Sequence, residues 1–129
     1  MTRLYLMRHG QTLFNTLNRI QGWCDSPLTE KGREQARQVR AYFEKHDMTF
    51  DQYYCTTTER ASDTIELATG RTDYQRVKGL KEMHFGIFEG QPEYLHPKTS
   101  VVGHFGDHYA QFGGESPVSY THLRAHETL

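Results

Sequence analysis

The sequence predicts an α/β domain with a largely parallel sheet. Three observations carry that expectation. Short apolar or aromatic runs alternate with segments of helical period. The polar residues Arg8, His9, Arg60 and Glu82 fall just past those runs or open the next helix, which gathers them at one sheet edge. Finally, 129 residues with 36% hydrophobic content and 11 glycines allow one domain with a modest core.

Thr2 to Met7 reads as a first strand, followed by a turn and a helical start at Gln11 to Asn15. A polar loop runs through Asn18, Gly22 and Pro27. Thr29 then caps a longer helix in which Ala36, Val39 and Phe43 share one face, opposite Glu34, Gln38 and Lys45. Phe50 to Cys55 is aromatic-rich and strand-like. Thr56 and Glu59 have the spacing of a capping box opening a helix with Ala61, Ile65 and Ala68, and Gly70 ends it. Tyr74 to Val77 is a third strand leading into Leu80-Lys81-Glu82.

The net charge of −1, with both signs interspersed, gives no polybasic arm or membrane-binding face, so small partners are expected and neither nucleic acid nor membrane. Cys24 and Cys55 are far apart and form no C-x-x-C motif, which favours a reducing compartment, the cytoplasm by default. The start of the chain enters a strand with no long apolar stretch before it, and no run approaches a membrane span. His104 with His108, and His122 with His126, have the i, i+4 spacing that shares a helix face, but neither pair has a third ligand nearby, so no metal is expected.

Arg8-His9-Gly10 behind the apolar run Leu4-Tyr5-Leu6-Met7 places a cation, an imidazole and a flexible turn where a strand ends. Such an imidazole can attack phosphorus while the guanidinium holds phosphoryl oxygens and the glycine admits the ligand to the backbone. Helix starts at Gln11 and Thr57 would add N–H donors for an anion.

Arg8-His9-Gly10-Gln11-Thr12 with Asn15, then Gln21-Gly22-Trp23-Cys24-Asp25-Ser26-Pro27-Leu28-Thr29 with Gly32, Gln35 and Ala36, resembles the histidine phosphatase superfamily in its phosphoglycerate mutase-like branch. Arg60-Ala61 with Thr64 resembles the family's second arginine segment. Leu80, Glu82, Phe85-Gly86 and Glu89-Gly90 resemble its acid/base segment, and Gly113-Gly114-Glu115-Ser116 its later glycine-rich segment. The resemblance covers Arg3 to Ser116 in order. It implies a three-layer α/β/α fold with a mostly parallel sheet, incomplete at the C-terminus.

The resemblance also implies roles. Neutral His9 attacks the phosphoryl group and becomes phosphohistidine, Arg8 and Arg60 stabilise the equatorial oxygens, Asn15 helps to hold the phosphate, and Gln21 and Gly22 join the binding segment. Glu82 protonates the departing oxygen and then activates water. No cofactor or metal is needed for hydrolysis, and the partner is a small phosphorylated metabolite. From the residues alone, Arg60 reads as an ordinary solvated helix residue, and Glu82 could be a loop carboxylate or part of a structural ion pair. Trp23, Phe85, Phe88 and Tyr94 read as packing or pocket wall, and His84 as either packing or a substrate contact. Ile87-Phe88-Glu89-Gly90 is closer to the broad-specificity phosphatases than to the mutases. The alternatives are a phosphoglycerate mutase, with bisphosphoglycerate priming His9, and a non-catalytic phospho-ligand binding module, against which Glu82 argues.

The family's second active-site histidine, at the end of an apolar strand near the C-terminus, has no counterpart here, and His122, followed by Leu123, is not assigned that role. Val118 to Thr128 resembles, residue for residue, a translated transposase sequencing adapter. Residues 1–117 are therefore expected to be a partial histidine phosphatase domain and 118–129 a non-native tail, with activity impaired as a result.

Overall fold

The computed structural model describes residues 2–96 and 109–115. Helix α1 (Leu13–Thr16) opens at Thr12, whose hydroxyl accepts from the Asn15 N–H while the Asn15 side chain accepts from the Thr12 N–H. This reciprocal cap satisfies donors that so short a helix would otherwise leave open. Helix α2 (Glu30–Lys45) starts as its sequence requires, with the Thr29 hydroxyl accepting from the Gly32 N–H at 3.0 Å. Ala36 is buried and Val39 and Phe43 are half-buried, whereas Glu34, Gln38 and Lys45 face solvent.

Strands β1 (Tyr54–Cys55) and β2 (Gln75–Arg76) pair in parallel, Tyr54 opposite Gln75 and Cys55 opposite Arg76. The Gln75 N–H donates to the Tyr53 carbonyl and the Val77 N–H to the Cys55 carbonyl, both at 2.8 Å. A parallel pair needs a crossover, and helix α3 (Glu59–Thr69) supplies it. Gly70 ends α3 at φ +70°, a left-handed conformation that glycine adopts without steric cost. Helices α2 and α3 pack on each other, and α3 rests on β1. A separate apolar cluster joins Ile20, Met83, Phe85 and Tyr109, with Phe88 packed against it. Its rings meet edge to face: Phe85 and Tyr109 lie 4.9 Å apart between centroids, Phe88 and Phe112 5.0 Å.

The architecture is α/β with parallel pairing, but several expected elements differ. Thr2 to Met7 is not a strand: no described segment pairs with it, and Leu4 and Leu6 are 72% and 87% exposed. A strand exists only as part of a ladder, and apolar residues alone cannot supply one. The Thr56–Glu59 capping box does not form. Helix α3 starts two residues later, behind Thr58, and the Thr56 hydroxyl accepts from the Thr58 N–H instead. Tyr94 is 81% exposed and so packs against nothing extensive. The histidine pairs 104/108 and 122/126, Ser116 and the 118–129 tail lie outside the described residues. Among the described residues no helix is long and apolar enough to cross a membrane.

Candidate active site

His9 sits on a loop sewn to both long helices. The Gly10 N–H donates to the Thr64 hydroxyl at 3.1 Å, and that hydroxyl donates to the Arg60 carbonyl at 2.6 Å, one turn back in α3. On the other side, the Thr29 N–H donates to the Gln11 carbonyl and the Gln11 N–H to the Gln35 side chain. His9 Nδ1 lies 2.7 Å from the Gly10 carbonyl. A carbonyl can only accept, so Nδ1 carries the proton and neutral His9 presents the Nε2 lone pair. Burial is the main force lowering its pKa. The Gly10 hydrogen bond opposes that effect, the Arg60 and Arg8 charges add to it, and the Glu82 charge works against it. Arg8, Arg60 and Glu82 are thus all within electrostatic reach of one half-buried imidazole.

Arg60 is no solvated helix residue: it is 3% exposed. Its Nη1 donates to the Cys24 carbonyl at 2.6 Å and to Asp25 Oδ1 at 3.2 Å, and its Nη2 to the Gly22 carbonyl at 2.7 Å. Three of the guanidinium's five N–H groups are thereby used by described residues, and the Nε–H and one Nη2–H make no bond to them. Asp25 also accepts from the Glu59 N–H at 2.5 Å. The start of α3, expected to receive phosphate, is therefore already occupied by a carboxylate. The start of α1 is closed as well, because the N–H groups of Thr12, Leu13 and Phe14 donate to Asn15, the Pro27 carbonyl and the Ser26 hydroxyl.

The Gly22–Cys24 segment is held by Glu89. The N–H groups of Gly22, Trp23, Cys24 and Phe85 donate to its carboxylate at 3.0, 2.7, 3.2 and 3.1 Å. Burial pushes the Glu89 pKa up, but hydrogen bonds from Cys24 and from the N–H groups of Phe85, Trp23 and Gly22 outweigh it and hold the carboxyl below its ordinary value. Burial and the same carboxylate push the Cys24 thiol up to about 12. Both backbone polar groups of Gly22 are committed, one to Glu89 and one to Arg60, so Gly22 acts on the site through those residues. Gln21 donates to the Thr12 hydroxyl at 3.1 Å and accepts from the Ser26 hydroxyl at 2.6 Å, which fixes its amide. Asn15 uses its carbonyl oxygen in the α1 cap, so only its NH2 is not engaged there. Glu82 is exposed, with Oε1 accepting from the Met83 N–H at 3.0 Å.

The Trp23 and His84 rings lie 4.3 Å apart between centroids, tilted by 57°, with the Lys81 and Lys78 ammonium groups 4.6 and 5.5 Å from the Trp23 ring centre. His84 accepts from the Gly86 N–H through Nδ1. The parts played by Glu89 and Asp25 were missed by reasoning along the sequence, since a carboxylate that collects backbone N–H groups from a distant loop leaves no local pattern. The one available signal was Gly22. A Cβ there would stand 2.1 Å from the Met83 carbonyl oxygen and 2.5 Å from Glu89 Oε1. Among the described residues no group of three or more metal-binding side chains occurs.

Residues 4–128 match the family model of the histidine phosphatase superfamily (branch 1). The chain is 35% identical over 95 residues to the 2,3-bisphosphoglycerate-dependent phosphoglycerate mutase of Lactobacillus acidophilus, covering 70% of this chain and 41% of that protein. It thus spans 41% of the length of the curated relatives it matches. Among solved structures, phosphoglycerate mutase from Bacillus anthracis superposes with a TM-score of 0.61 at 39% identity, over 64% of this chain and 38% of that one. TTHB049 from Thermus thermophilus superposes with a TM-score of 0.68 at 30% identity, over 95% of this chain and 69% of that one.

Proposed function

Because the chain belongs to the histidine phosphatase superfamily, branch 1, we propose that it carries the phosphoryl-accepting machinery of a phosphomonoester hydrolase working through phosphohistidine on His9. The observation that carries this reading is the His9–Gly10 hydrogen bond, which leaves Nε2 as the basic nitrogen of a histidine whose pKa burial and two arginines depress. Nε2 attacks phosphorus in line. The ester P–O bond breaks, and the leaving oxygen takes its electron pair and a proton from Glu82. Water then attacks the phosphohistidine and loses its proton to Glu82. The P–N bond breaks, its electron pair returns to Nε2, and inorganic phosphate departs. Arg8, the ligand-facing N–H groups of Arg60 and the Asn15 amide hold the phosphoryl oxygens, and each such preorganised donor contributes roughly 3 kcal/mol. The substrate is a small phosphorylated metabolite. No nucleic acid or membrane partner belongs to this reading, and the two free cysteines accord with the cytoplasm.

A mutase reading is favoured by the Lactobacillus acidophilus and Bacillus anthracis relatives, which are phosphoglycerate mutases. The two readings differ in what accepts the phosphoryl group from His9. Rapid quenching after mixing with a radiolabelled phosphomonoester should trap acid-labile, base-stable label that His9→Ala abolishes. For a hydrolase, the label then leaves as inorganic phosphate at a rate indifferent to added phosphoglycerate. Transfer to phosphoglycerate would establish the mutase instead, and absence of label a mere binding module. Turnover by this chain should be slower than by a chain of the relatives' full length.

A further inference from the structure

The Gly22–Cys24 backbone is gripped from two directions: its N–H groups by Glu89, and the carbonyls of Gly22 and Cys24 by Arg60. The two grips are mechanically linked through the Gly22–Trp23 peptide, whose N–H donates to Glu89 and whose carbonyl, fixed in the same plane, accepts from Arg60. We propose that Glu89 is a positioning residue for Arg60: by gathering backbone N–H groups from Gly22, Trp23, Cys24 and Phe85 it orients the Gly22 carbonyl, one of the two that hold the guanidinium beside His9. The inference rests on the reading of His9 as the phosphoryl acceptor.

Three features make Glu89 suited to this role. An ionised carboxylate is acceptor-only with about four lone-pair sites, enough for every N–H it meets, whereas an amide offers only one accepting oxygen. The two segments are also brought into register independently. The Ile20 N–H donates to the Gln91 carbonyl at 2.7 Å and the Gly90 N–H to the Ile20 carbonyl at 2.8 Å, which delivers Glu89 beneath the turn. Gly22 then lets the turn close on Met83 and Phe85, where a Cβ would lie 2.6 Å from the Phe85 ring. Arg60 itself comes from α3 and has no direct contact with Glu89 among its hydrogen bonds, so the turn is the link between them.

The direction of a pKa change separates positioning from direct charge and from simple destabilisation. The charged groups facing His9 are Arg8, Arg60 and Glu82. Removing the negative charge of Glu89 would by itself make protonation of His9 harder and lower its pKa. Releasing Arg60 takes a positive charge away and raises it. The measurement is the ring titration of His9 by nitrogen NMR on the uniformly labelled chain, with far-UV circular dichroism confirming the fold of each variant. Arg60→Ala should raise the His9 pKa. Glu89→Ala should raise it nearly as far, Glu89→Gln should fall between that value and the unaltered chain, and Glu89→Ala added to Arg60→Ala should produce no further rise. The affinity for inorganic phosphate should fall about tenfold in Glu89→Ala and not further in the double variant, as expected when one charged-donor contact is lost. A folded Glu89→Gln variant whose His9 titrates as in the unaltered chain, or lower, overturns the proposal. So does an additive effect of the two alanine substitutions. If the unaltered chain binds no phosphate while the pKa pattern holds, the positioning role stands and the phosphoryl-acceptor reading fails.

Discussion

Gly10 and Gly32 approach so closely that a Cβ on Gly10 would stand 2.4 Å from the Gly32 carbonyl oxygen, and one on Gly32 would stand 2.1 Å from the Gln11 carbonyl oxygen. The His9 loop is therefore seated directly on the first turn of α2, where neither residue can carry a side chain unless backbone moves. Alanine at position 32 sets two effects against each other. Helix propensity favours it by up to about 1 kcal/mol, and overpacking against backbone costs about 1–3 kcal/mol. The clash should win. Gly32→Ala is expected to lower stability in urea unfolding and, on the phosphohistidine reading, to slow labelling of His9, because the loop it displaces carries that residue.

Asp25 ties Arg60 to the start of α3 through two contacts, and its partner is almost fully buried. Asp25→Asn keeps one accepting oxygen and removes the charge. A loss of about 1.5–3 kcal/mol in unfolding free energy is expected, the range for hydrogen bonds to charged groups, together with weaker binding of inorganic phosphate. Unchanged stability with unchanged phosphate affinity would show that the two backbone carbonyls hold Arg60 unaided.

Burial and the arginines lower the His9 pKa below its ordinary 6.5. Between the folded value and 6.5 the unfolded chain binds more protons, so stability from this group is full above 6.5 and declines as pH falls toward the folded pKa. The nucleophile should likewise stay neutral somewhat below pH 6.5, so that the acid limb of phosphohistidine formation lies lower than for a free imidazole. In Arg60→Ala that limb should move up. A limb that does not move would mean that the titrating group is not His9.

Glu89 gives a second linkage at lower pH. Its folded pKa lies below 4.5, so its stabilising contribution is complete above that value and is lost as pH falls through the folded pKa. Unfolding titrations of the unaltered chain and Glu89→Gln should therefore converge in acid and diverge above about pH 5. Parallel curves throughout would count against an ionised, hydrogen-bonded Glu89.

Phe85 is 8% exposed and meets Tyr109 edge to face at the centre of the apolar cluster that carries the Glu82–His84 segment. Phe85→Ala should cost about 3–5 kcal/mol, the usual range for losing a buried aromatic ring. In a chain with so modest a core, that loss should abolish the cooperative unfolding transition. A retained sharp transition would place the stability elsewhere, in the α2–α3 pair.

The reading of 118–129 as a non-native tail stands as a proposal. Sequencing the source DNA across codon 117 should return codons other than those for Val118 to Thr128. The same tail followed by a stop codon would reject that reading.

Much of the helical framework could be read along the chain because its parts are local. The Thr29 cap, the Ala36, Val39 and Phe43 face and the Gly70 stop each depend on residues within a turn or two, and each is found where the sequence places it. The misses share one cause. The capping box at Thr56, the strand from Thr2 and the open helix starts were inferred from local preference, and each yields to a partner distant in sequence: Asp25 takes the start of α3, while no described strand arrives beside Leu4 and Leu6. Arg60 was ambiguous for the same reason, since nothing within its own helix says that it is buried.

What the sequence determined by itself is the set of residue types, their order, and the alternation of helix with strand after residue 29, all consequences of side-chain character and short-range periodicity. The tertiary structure alone decided which of those polar groups are already bonded within the protein. Hydrogen bonds compete for a finite set of donors and acceptors. Only when Gly22 to Asp25, Arg60 and Glu89 meet across the chain is it settled that the Gly22 backbone and the Asp25 carboxylate are held by other residues, that Nη1 and one N–H of Nη2 of Arg60 are used within the protein, and that His9 Nδ1 is bonded to the Gly10 carbonyl.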